Sequence, residues 1–414
     1  MASGPYLTAR EAAEALGISL PTLYAYVSRG LVRSEAAGGS ARSRRYHAED
    51  IQRLKERQQQ RRDPGKMVEG ALHWGMPVME SAITLLADGT FYYRGHDALA
   101  LASTHSVEQV AALIWTGDAS ADAVARLFGP ATGTLPPACA ALRPHLPALA
   151  ASDAFKMLLP LAAVDDVAAY DLRPEAVAQT GARILRLLVA IAVGEQPGAA
   201  GIAQALQLGW APHASRAAAV LNAALILCAD HELNVTSFTA RCVASAGATP
   251  YDVVAAGLCA LSGARHAGRS ARIEAFLRQV GAPNSAHAAI AGRLKRGEEI
   301  PGFGHPLYPG GDPRARALLQ RTAIAFPESP AVALADAVVQ EARGLLGEHP
   351  DVEFGLVTLA AALGLPPGGA ISLFALSRTI GWIGHAIEEY QANRVIRPRA
   401  RYVGEQPRDH VPRA

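Results

Sequence analysis

Residues 301–315 read PGFGHPLYPGGDPRA and interrupt a chain otherwise rich in alanine and leucine at helical spacing. Gly302, Gly304, Gly310 and Gly311 allow backbone angles closed to other residues, while Pro301, Pro306, Pro309 and Pro313 fix φ and forbid helix. Such a segment is a rigid loop, and it holds His305 and Arg314. Imidazole moves protons near neutral pH, and guanidinium grips anions through a planar, permanently charged fork. On its own the loop is either a tight turn with two incidental polar side chains or a mount for chemistry of that kind.

Three more stretches place polar groups where core is expected. Asp230-His231-Glu232-Leu233-Asn234 follows an apolar run that ends near Cys228, and reads as a solvated helix junction or as part of a site. Thr249 as cap, Pro250 as first residue and Asp252 open a helix whose apolar run ends at Ser262-Gly263. Arg265 and His266 then lie just past its C-terminus, where the helix dipole would favour a protonated histidine. Glu353, between Val352 and Phe354, heads an apolar helix as a first-turn glutamate would. Each has a structural explanation, and none decides alone.

The elements that must position these residues are mainly α-helical, for instance over residues 107–115, 174–194 and 217–228. A hairpin is expected at residues 81–93, with apolar runs on either side of Asp88-Gly89. The length of 414 residues predicts two to three domains. Net charge is +2, but residues 1–66 hold twelve Lys and Arg against seven Asp and Glu, a local +5 that leaves −3 on the rest. Cys139, Cys228, Cys242 and Cys259 lie in apolar runs without a Cys-x-x-Cys pair, which predicts reduced core thiols and neither zinc nor a disulfide framework. The N-terminus lacks a signal-peptide pattern, and apolar stretches are broken by charge, Gly or Pro before about 18 residues. We therefore expect a soluble cytoplasmic protein without a membrane partner.

Near the N-terminus Thr8, with Glu11 three residues on, opens a short helix that Gly17 ends. A second helix follows from Leu20, with Pro21 early in it, and a third, charged helical run is expected from His47 to Arg62. The stretches TAREAAEALGISLPTLYAYVSRGLV and RSRRYHAEDIQRL resemble the MerR-type winged helix-turn-helix. The resemblance implies that Thr22, Tyr24 and Tyr26 start a recognition helix near a major groove, and that Arg42, Arg44 and Arg45 meet phosphates of duplex DNA. A small three-helix adaptor with a solvated basic face is the other reading.

From residue 67 to 404 the ordered stretches YRGHDALALA, DHELNVTSF, ALSGARHAG, GFGHPLYPGGDPRA, PDVEFG, SRTIGWIGHAIE and RPRARYVG resemble the citrate synthase family. The resemblance implies condensation of an acyl-CoA, usually acetyl-CoA, with oxaloacetate, followed by thioester hydrolysis. It makes His266 the donor to the enol or enolate oxygen, His305 the group that polarises the oxo-acid ketone, and Glu353 the base. His231, Arg314 and Arg378 would hold the oxo-acid carboxylates, joined by Arg397 from a second subunit of a homodimer. No metal or redox cofactor is implied. A weakly acidic C–H beside a thioester needs a positioned carboxylate base and a donor for the charge that develops on oxygen.

Two departures stand out. The family usually has aspartate at Glu353, and the extra methylene displaces the carboxylate by roughly 1 Å, while intrinsic pKa values of about 3.9 and 4.3 are close. After His266 the chain reads HAGRSAR where the family has His-Gly-Gly-Ala-Asn, so Ala267 takes a glycine position and Arg269 and Ser270 replace Ala and Asn. Both changes fall in the acyl-CoA half of the implied site, whereas the oxo-acid half is intact. The favoured reading is an acyltransferase with an accessory helix-turn-helix. The alternative is a DNA-binding regulator whose degenerate synthase domain senses oxaloacetate, citrate or an acyl-CoA, and a helical scaffold with neither activity is third. The expected architecture is mainly α: a helix-turn-helix over 1–62, a linker at 63–66, a large domain of 67–265 plus 377–414, and a small domain of 266–376.

Overall fold

The computed structural model describes residues 6–28, 31–36, 44–48, 50–51, 79–129, 135–146, 149–194, 201–400 and 402–405. Arg42, the 63–66 linker and most of the third N-terminal helical run lie outside these residues. The chain divides into two compact units, Met1–Glu80 and Ser81–Ala414.

In the first unit, strand β1 (Tyr6–Thr8) leads directly into helix α1 (Ala9–Leu16). Thr8 closes the expected capping box: its hydroxyl accepts from the Glu11 N–H at 3.3 Å, and Glu11 Oε2 accepts from the Thr8 N–H at 2.8 Å. Gly17 ends α1 in the left-handed region, at φ 60°. Helix α2 spans Leu20–Ser28, and strands β2 (Ser34–Ala36) and β3 (Arg44–His47) complete an antiparallel sheet in the order β1-β3-β2. The sequence pattern started the third helical run at His47. Instead His47 pairs with Tyr6 across β1 and β3, and helix begins at Ala48, because Tyr46 must enter the core from a strand. Ala12, Ala13, Leu16, Leu23, Val32, Tyr46 and Ile51 form that core.

The second unit is mainly α-helical. Its expected hairpin is present as β4 (Thr84–Ala87) and β5 (Thr90–Tyr93), joined through Asp88 at φ 52° and Gly89 at φ 72° and extended by β6 (His96–Asp97). At the centre runs the Gly369–Ala392 helix, packed against the Pro174–Val193, Val235–Ser245, Pro250–Leu261 and Val352–Ala362 helices. The Pro174–Val193 and Gly369–Ala392 helices are long and apolar enough by composition to cross a membrane, although Gly181, Arg183 and Arg186 interrupt the first and Arg378, Gly381 and Gly384 the second, as the sequence pattern anticipates. Of the apolar window in Gly369–Ala392, 94% is buried within the fold, as a helix that is apolar all round requires. The thiols also differ from expectation: Cys139 and Cys228 are buried, but Cys242 is half-buried and Cys259 exposed, since the helices carrying them each keep one outward face. All four are free thiols.

Glycine lets the central helix approach its neighbours closely. A Cβ on Gly381 would lie 2.5 Å from the Ala229 carbonyl oxygen and 2.6 Å from Asp230 Oδ1, and the Gly381 N–H itself donates to that carbonyl at 3.0 Å. This contact fixes the corner that carries Asp230 and His231. Gly381→Ala is expected to destabilise the second unit by about 1–3 kcal/mol through overpacking against backbone, read as a lower urea midpoint with an unchanged slope.

Candidate functional site

Five elements bring the candidate residues of the second unit together. His231 lies in the corner between the Ala217–Leu227 helix and Asn234, whose side chain caps Val235–Ser245; Glu232 turns this corner at φ 54°. Asp230, fully buried, anchors it: Oδ1 pairs with His385 Nε2 at 3.1 Å, and Oδ2 accepts from Thr84 Oγ1 at 2.6 Å. Burial works to raise the Asp230 pKa, but His385 and Arg378 outweigh it, so the carboxylate is held below its ordinary range.

The glycine- and proline-rich loop is zipped to residues 349–351. Gly304 N–H donates to the His349 carbonyl at 2.9 Å, and Asp351 N–H to the Gly302 carbonyl at 2.8 Å. Gly302, Gly304 and Gly311 take φ values of 85°, 74° and 104°, while Gly310 stays out of the positive region. At the loop's end Asp312 caps the Pro313–Ala325 helix and clamps Arg314 with both oxygens, at 3.0 Å to Nε and 2.8 Å to Nη2. Asp312 Oδ2 also accepts from the Val352 N–H at 3.2 Å, so the starts of the Pro313–Ala325 and Val352–Ala362 helices share one carboxylate. Burial opposes the Arg314 charge, but Asp312 more than compensates and its pKa is raised.

Tyr308 joins the oxo-acid candidates. Its hydroxyl is 2.8 Å from His231 Nε2, its ring is 5.3 Å from that of His305, and the Arg314 guanidinium lies 5.7 Å from its centroid. The His231 and His305 rings are 5.9 Å apart. Burial, then the fields of Arg314 and Arg378, hold His231 well below the usual imidazole pKa, and burial followed by Arg314 lowers His305. Arg378, in the central helix, is buried with Nε donating to the Cys228 carbonyl at 2.9 Å. Its guanidinium lies 4.8 Å from the centroid of the Phe374 ring, and burial lowers its pKa.

The His266 ring packs on Phe374 edge to face at 5.3 Å. His266 is the N-cap of the Ala267–Val280 helix, not merely a residue beyond the previous helix, so it meets the positive end of a dipole. That corrects the expectation of a dipole-supported imidazolium: burial, then Arg378 and Arg269, bring its pKa to about 4 and keep the ring neutral. Its Nδ1 is 3.8 Å from Glu353 Oε1. Glu353 sits in the first turn of Val352–Ala362, where burial and then the adjacent Asp351 raise its carboxyl to about 8. Among the described residues, His266 Nδ1, Glu353 Oε2 and Arg378 Nη1 are buried without a hydrogen-bond partner. An unmet polar atom of this kind costs about 1–3 kcal/mol, and three gathered around one cluster call for a functional explanation.

Arg397 does not join this cluster within one chain. It is exposed on the extended segment after the central helix, where the preceding Ile396 N–H donates to Ser245 Oγ at 3.1 Å. Ser245 closes the Val235–Ser245 helix, whose far end, about 16 Å away, lies next to His231. In the first unit Tyr24 is exposed, whereas Tyr26 packs against the core and Thr22 bonds back to Ser19 at 2.8 Å. Arg44 is exposed; Arg45 reaches Glu35 at 3.2 Å and covers the Tyr6 ring at 4.1 Å.

Sequence reading missed Tyr308, Asp312, Asp351 and His385. The first two stand in the loop stretch itself, and Asp312 before Pro313 is a helix-start signal; His385 lies seven residues after Arg378, two turns along the same face.

A mainly α-helical domain with buried arginines, histidines and a carboxylate in one cluster, attached to a helix-turn-helix unit, is the class these observations define. A family model for the citrate synthase C-terminal domain matches residues 71–399, and one for a helix-turn-helix domain matches residues 6–59. The chain belongs to the citrate synthase family. Citrate synthase 2 of Bacillus subtilis is 36% identical over 198 residues, 46% of this chain and 52% of its own length, so the chain spans about half of that curated relative. A 2-methylcitrate synthase of Mycobacterium tuberculosis is 27% identical over 358 residues, 81% of this chain and 90% of its own. The structure of citrate synthase from Thermotoga maritima MSB8 matches with a TM-score of 0.69 at 26% identity, covering 82% of this chain and 96% of that one. Citrate synthase from Thermoplasma acidophilum, solved as a ternary complex with carboxymethyl coenzyme A and oxaloacetate, shares the fold with a TM-score of 0.68 at 21% identity, covering 81% of this chain and 96% of that one.

The depressed His266 pKa gives a direct check. Its imidazole resonances are expected to stay neutral from pH 8 down to pH 5 and to titrate only near pH 4, as followed by NMR with His266→Gln for assignment. A midpoint near 6.5 would contradict the site's electrostatics.

Proposed function

We propose that this protein condenses acetyl-CoA or a related acyl-CoA with oxaloacetate to release citrate, or a homologue of it, and free CoA. The observation that carries this reading is the cluster of buried His266 Nδ1, Glu353 Oε2 and Arg378 Nη1, each without a hydrogen bond among the described residues, together with buried Arg314. An oxo-acid dianion supplies carboxylate oxygens for Arg314 and Arg378, with His231 as a further donor and His305 turned to the ketone oxygen. Glu353 removes a proton from the acyl carbon next to the thioester, and neutral His266 donates to the oxygen on which charge develops. A neutral donor suits this step, since it stabilises an enolate without first surrendering its own proton to solvent.

Arg397, exposed and remote in its own chain, suits the site of a second subunit in a homodimer. The segment 266–376 carries His266, His305, Arg314 and Glu353, and the remainder carries His231 and Arg378, so closure of a small domain on a large one would assemble the site. The reading needs no metal or redox cofactor, and free thiols suit a reducing cytoplasm. The helix-turn-helix unit would bind duplex DNA, with α2 toward the major groove and Arg44 toward phosphate. The substitution of Glu353 and Arg269 in the acyl half, beside an intact oxo-acid half, favours one second reading: a DNA-binding regulator that senses oxaloacetate, citrate or an acyl-CoA.

Thiol release from acetyl-CoA with oxaloacetate separates the two, because oxaloacetate binding without turnover leaves only the sensor. The rate at limiting substrate should rise about tenfold per pH unit up to about 8, as Glu353 ionises, and Glu353→Gln should lower turnover by about 10²–10⁴-fold. For the first unit, affinity for a randomised duplex pool should fall steeply with salt, with the log–log slope reduced by about one in Arg44→Ala.

A further inference from the structure

Arg269 is the side chain at this site that neither the oxo-acid chemistry nor apolar packing explains. It stands in the first turn of the Ala267–Val280 helix, its own N–H donating to the His266 carbonyl at 2.9 Å. The guanidinium crosses to the next helix start, where Nη2 donates to Asp351 Oδ2 at 2.5 Å and Nε lies 3.5 Å from Glu353 Oε2. Asp351 is 2% exposed and already committed: Oδ1 caps Val352–Ala362 through the Phe354 N–H at 3.0 Å, and its N–H holds the loop at Gly302. One guanidinium therefore ties the helix that His266 caps to the helix with Glu353 in its first turn, and through Asp351 reaches the loop of His305.

The charges facing Glu353 are unbalanced without it. Burial and the Asp351 carboxylate both favour the protonated form, and against them stand Arg269 first, then Arg314 and Arg272. His266, facing the other oxygen, is neutral and adds no positive charge. The two departures from the family pattern thus meet in space. A glutamate is longer than aspartate and can fold away from the reacting carbon, and an arginine in place of a small residue is long enough to hold it.

We propose that Arg269 is the positioning residue for the base: it favours the charged form of the Glu353 carboxylate and holds that carboxylate level with the His266 ring. This rests on the acyl-transfer reading above. The replacement of aspartate by glutamate is then sustained by Arg269, and the two positions act as a pair.

The test uses the full-length protein labelled with ¹³C at the glutamate carboxyl, the Glu353 signal being assigned by its loss in Glu353→Gln. Arg269→Ala should raise the Glu353 midpoint by about one pH unit or more, a tenfold loss of ionised base at neutral pH, with Arg269→Lys between it and the unaltered protein. Arg278→Ala, an exposed charge on the same helix, should leave the midpoint in place. An unmoved midpoint in Arg269→Ala, or in the volume-matched Arg269→Met should the alanine variant not fold, overturns the proposal whether or not the protein turns over. In the thiol-release assay kcat should fall about tenfold at pH 7 and recover at higher pH, with KM for oxaloacetate unchanged. A loss equal at every pH would mark a purely structural role and also overturns it. No turnover by the unaltered protein sinks the acyl-transfer reading alone, since the carboxyl titration reads Arg269 without it.

Discussion

The second unit is organised by the problem of keeping two guanidinium groups, Arg314 and Arg378, charged inside an apolar helical core. The two are treated differently. Arg314 is matched by Asp312 across a two-bond fork, so its charge is locally met. Arg378 has a backbone carbonyl for one N–H and the face of Phe374 for its plane, while its nearest carboxylate influence, Asp230, is engaged with His385 and Thr84. The cluster is left with a positive surplus which, added to the larger effect of burial, lowers the pKa of His231, His266 and His305. An isolated buried charge is costly, and a site that keeps one is arranged for an anion.

Helix starts carry the arrangement. Asp312 and Asp351 each cap their own helix and also reach a neighbouring helix start: Asp312 grips Arg314 with both oxygens and takes the Val352 N–H on Oδ2, and Asp351 takes Arg269 on the oxygen not used for its cap. The caps are therefore also the crosslinks. Because the loop of His305 is hydrogen-bonded to residues 349–351, a shift of any one of these helix starts moves the others. A site made from first-turn residues gains backbone rigidity that long surface loops lack, and its side chains are aimed by the helix axes.

The oxo-acid and acyl halves also differ in how fully their groups are satisfied. His231 with Tyr308 and Arg314 with Asp312 make short hydrogen bonds, and the Arg314 guanidinium over the Tyr308 ring at 5.7 Å joins the two pairs. Around Phe374 the distances lengthen, to 3.8 Å between His266 and Glu353 and 3.5 Å between Glu353 and Arg269, and His266 Nδ1 and Glu353 Oε2 lack hydrogen bonds among the described residues, as does Arg378 Nη1 where the two halves meet. Glu353, pushed up to about 8, and His266, brought to about 4, have been driven in opposite senses by one environment, because desolvation disfavours whichever form is charged.

Local chemistry made much of this legible from residue order. Thr8 with Glu11, Thr249 with Asp252 and the Asp88-Gly89 turn each specify their own geometry, since the interacting groups lie within four residues. The loop of His305 and the family pattern across residues 71–399 were equally readable. The protonation state of His266 was not, because it depends on Arg378, more than a hundred positions away, and on burial that no local pattern reports. Nor was the link from Arg269 to Asp351 and Glu353, which joins two helix starts eighty-two and eighty-four residues apart. What residue order determined by itself was the kind of elements and the kind of groups. Which of those groups share a dielectric, and hence which are charged, was decided only when the central helix packed against its neighbours, since desolvation and through-space fields belong to the folded shape.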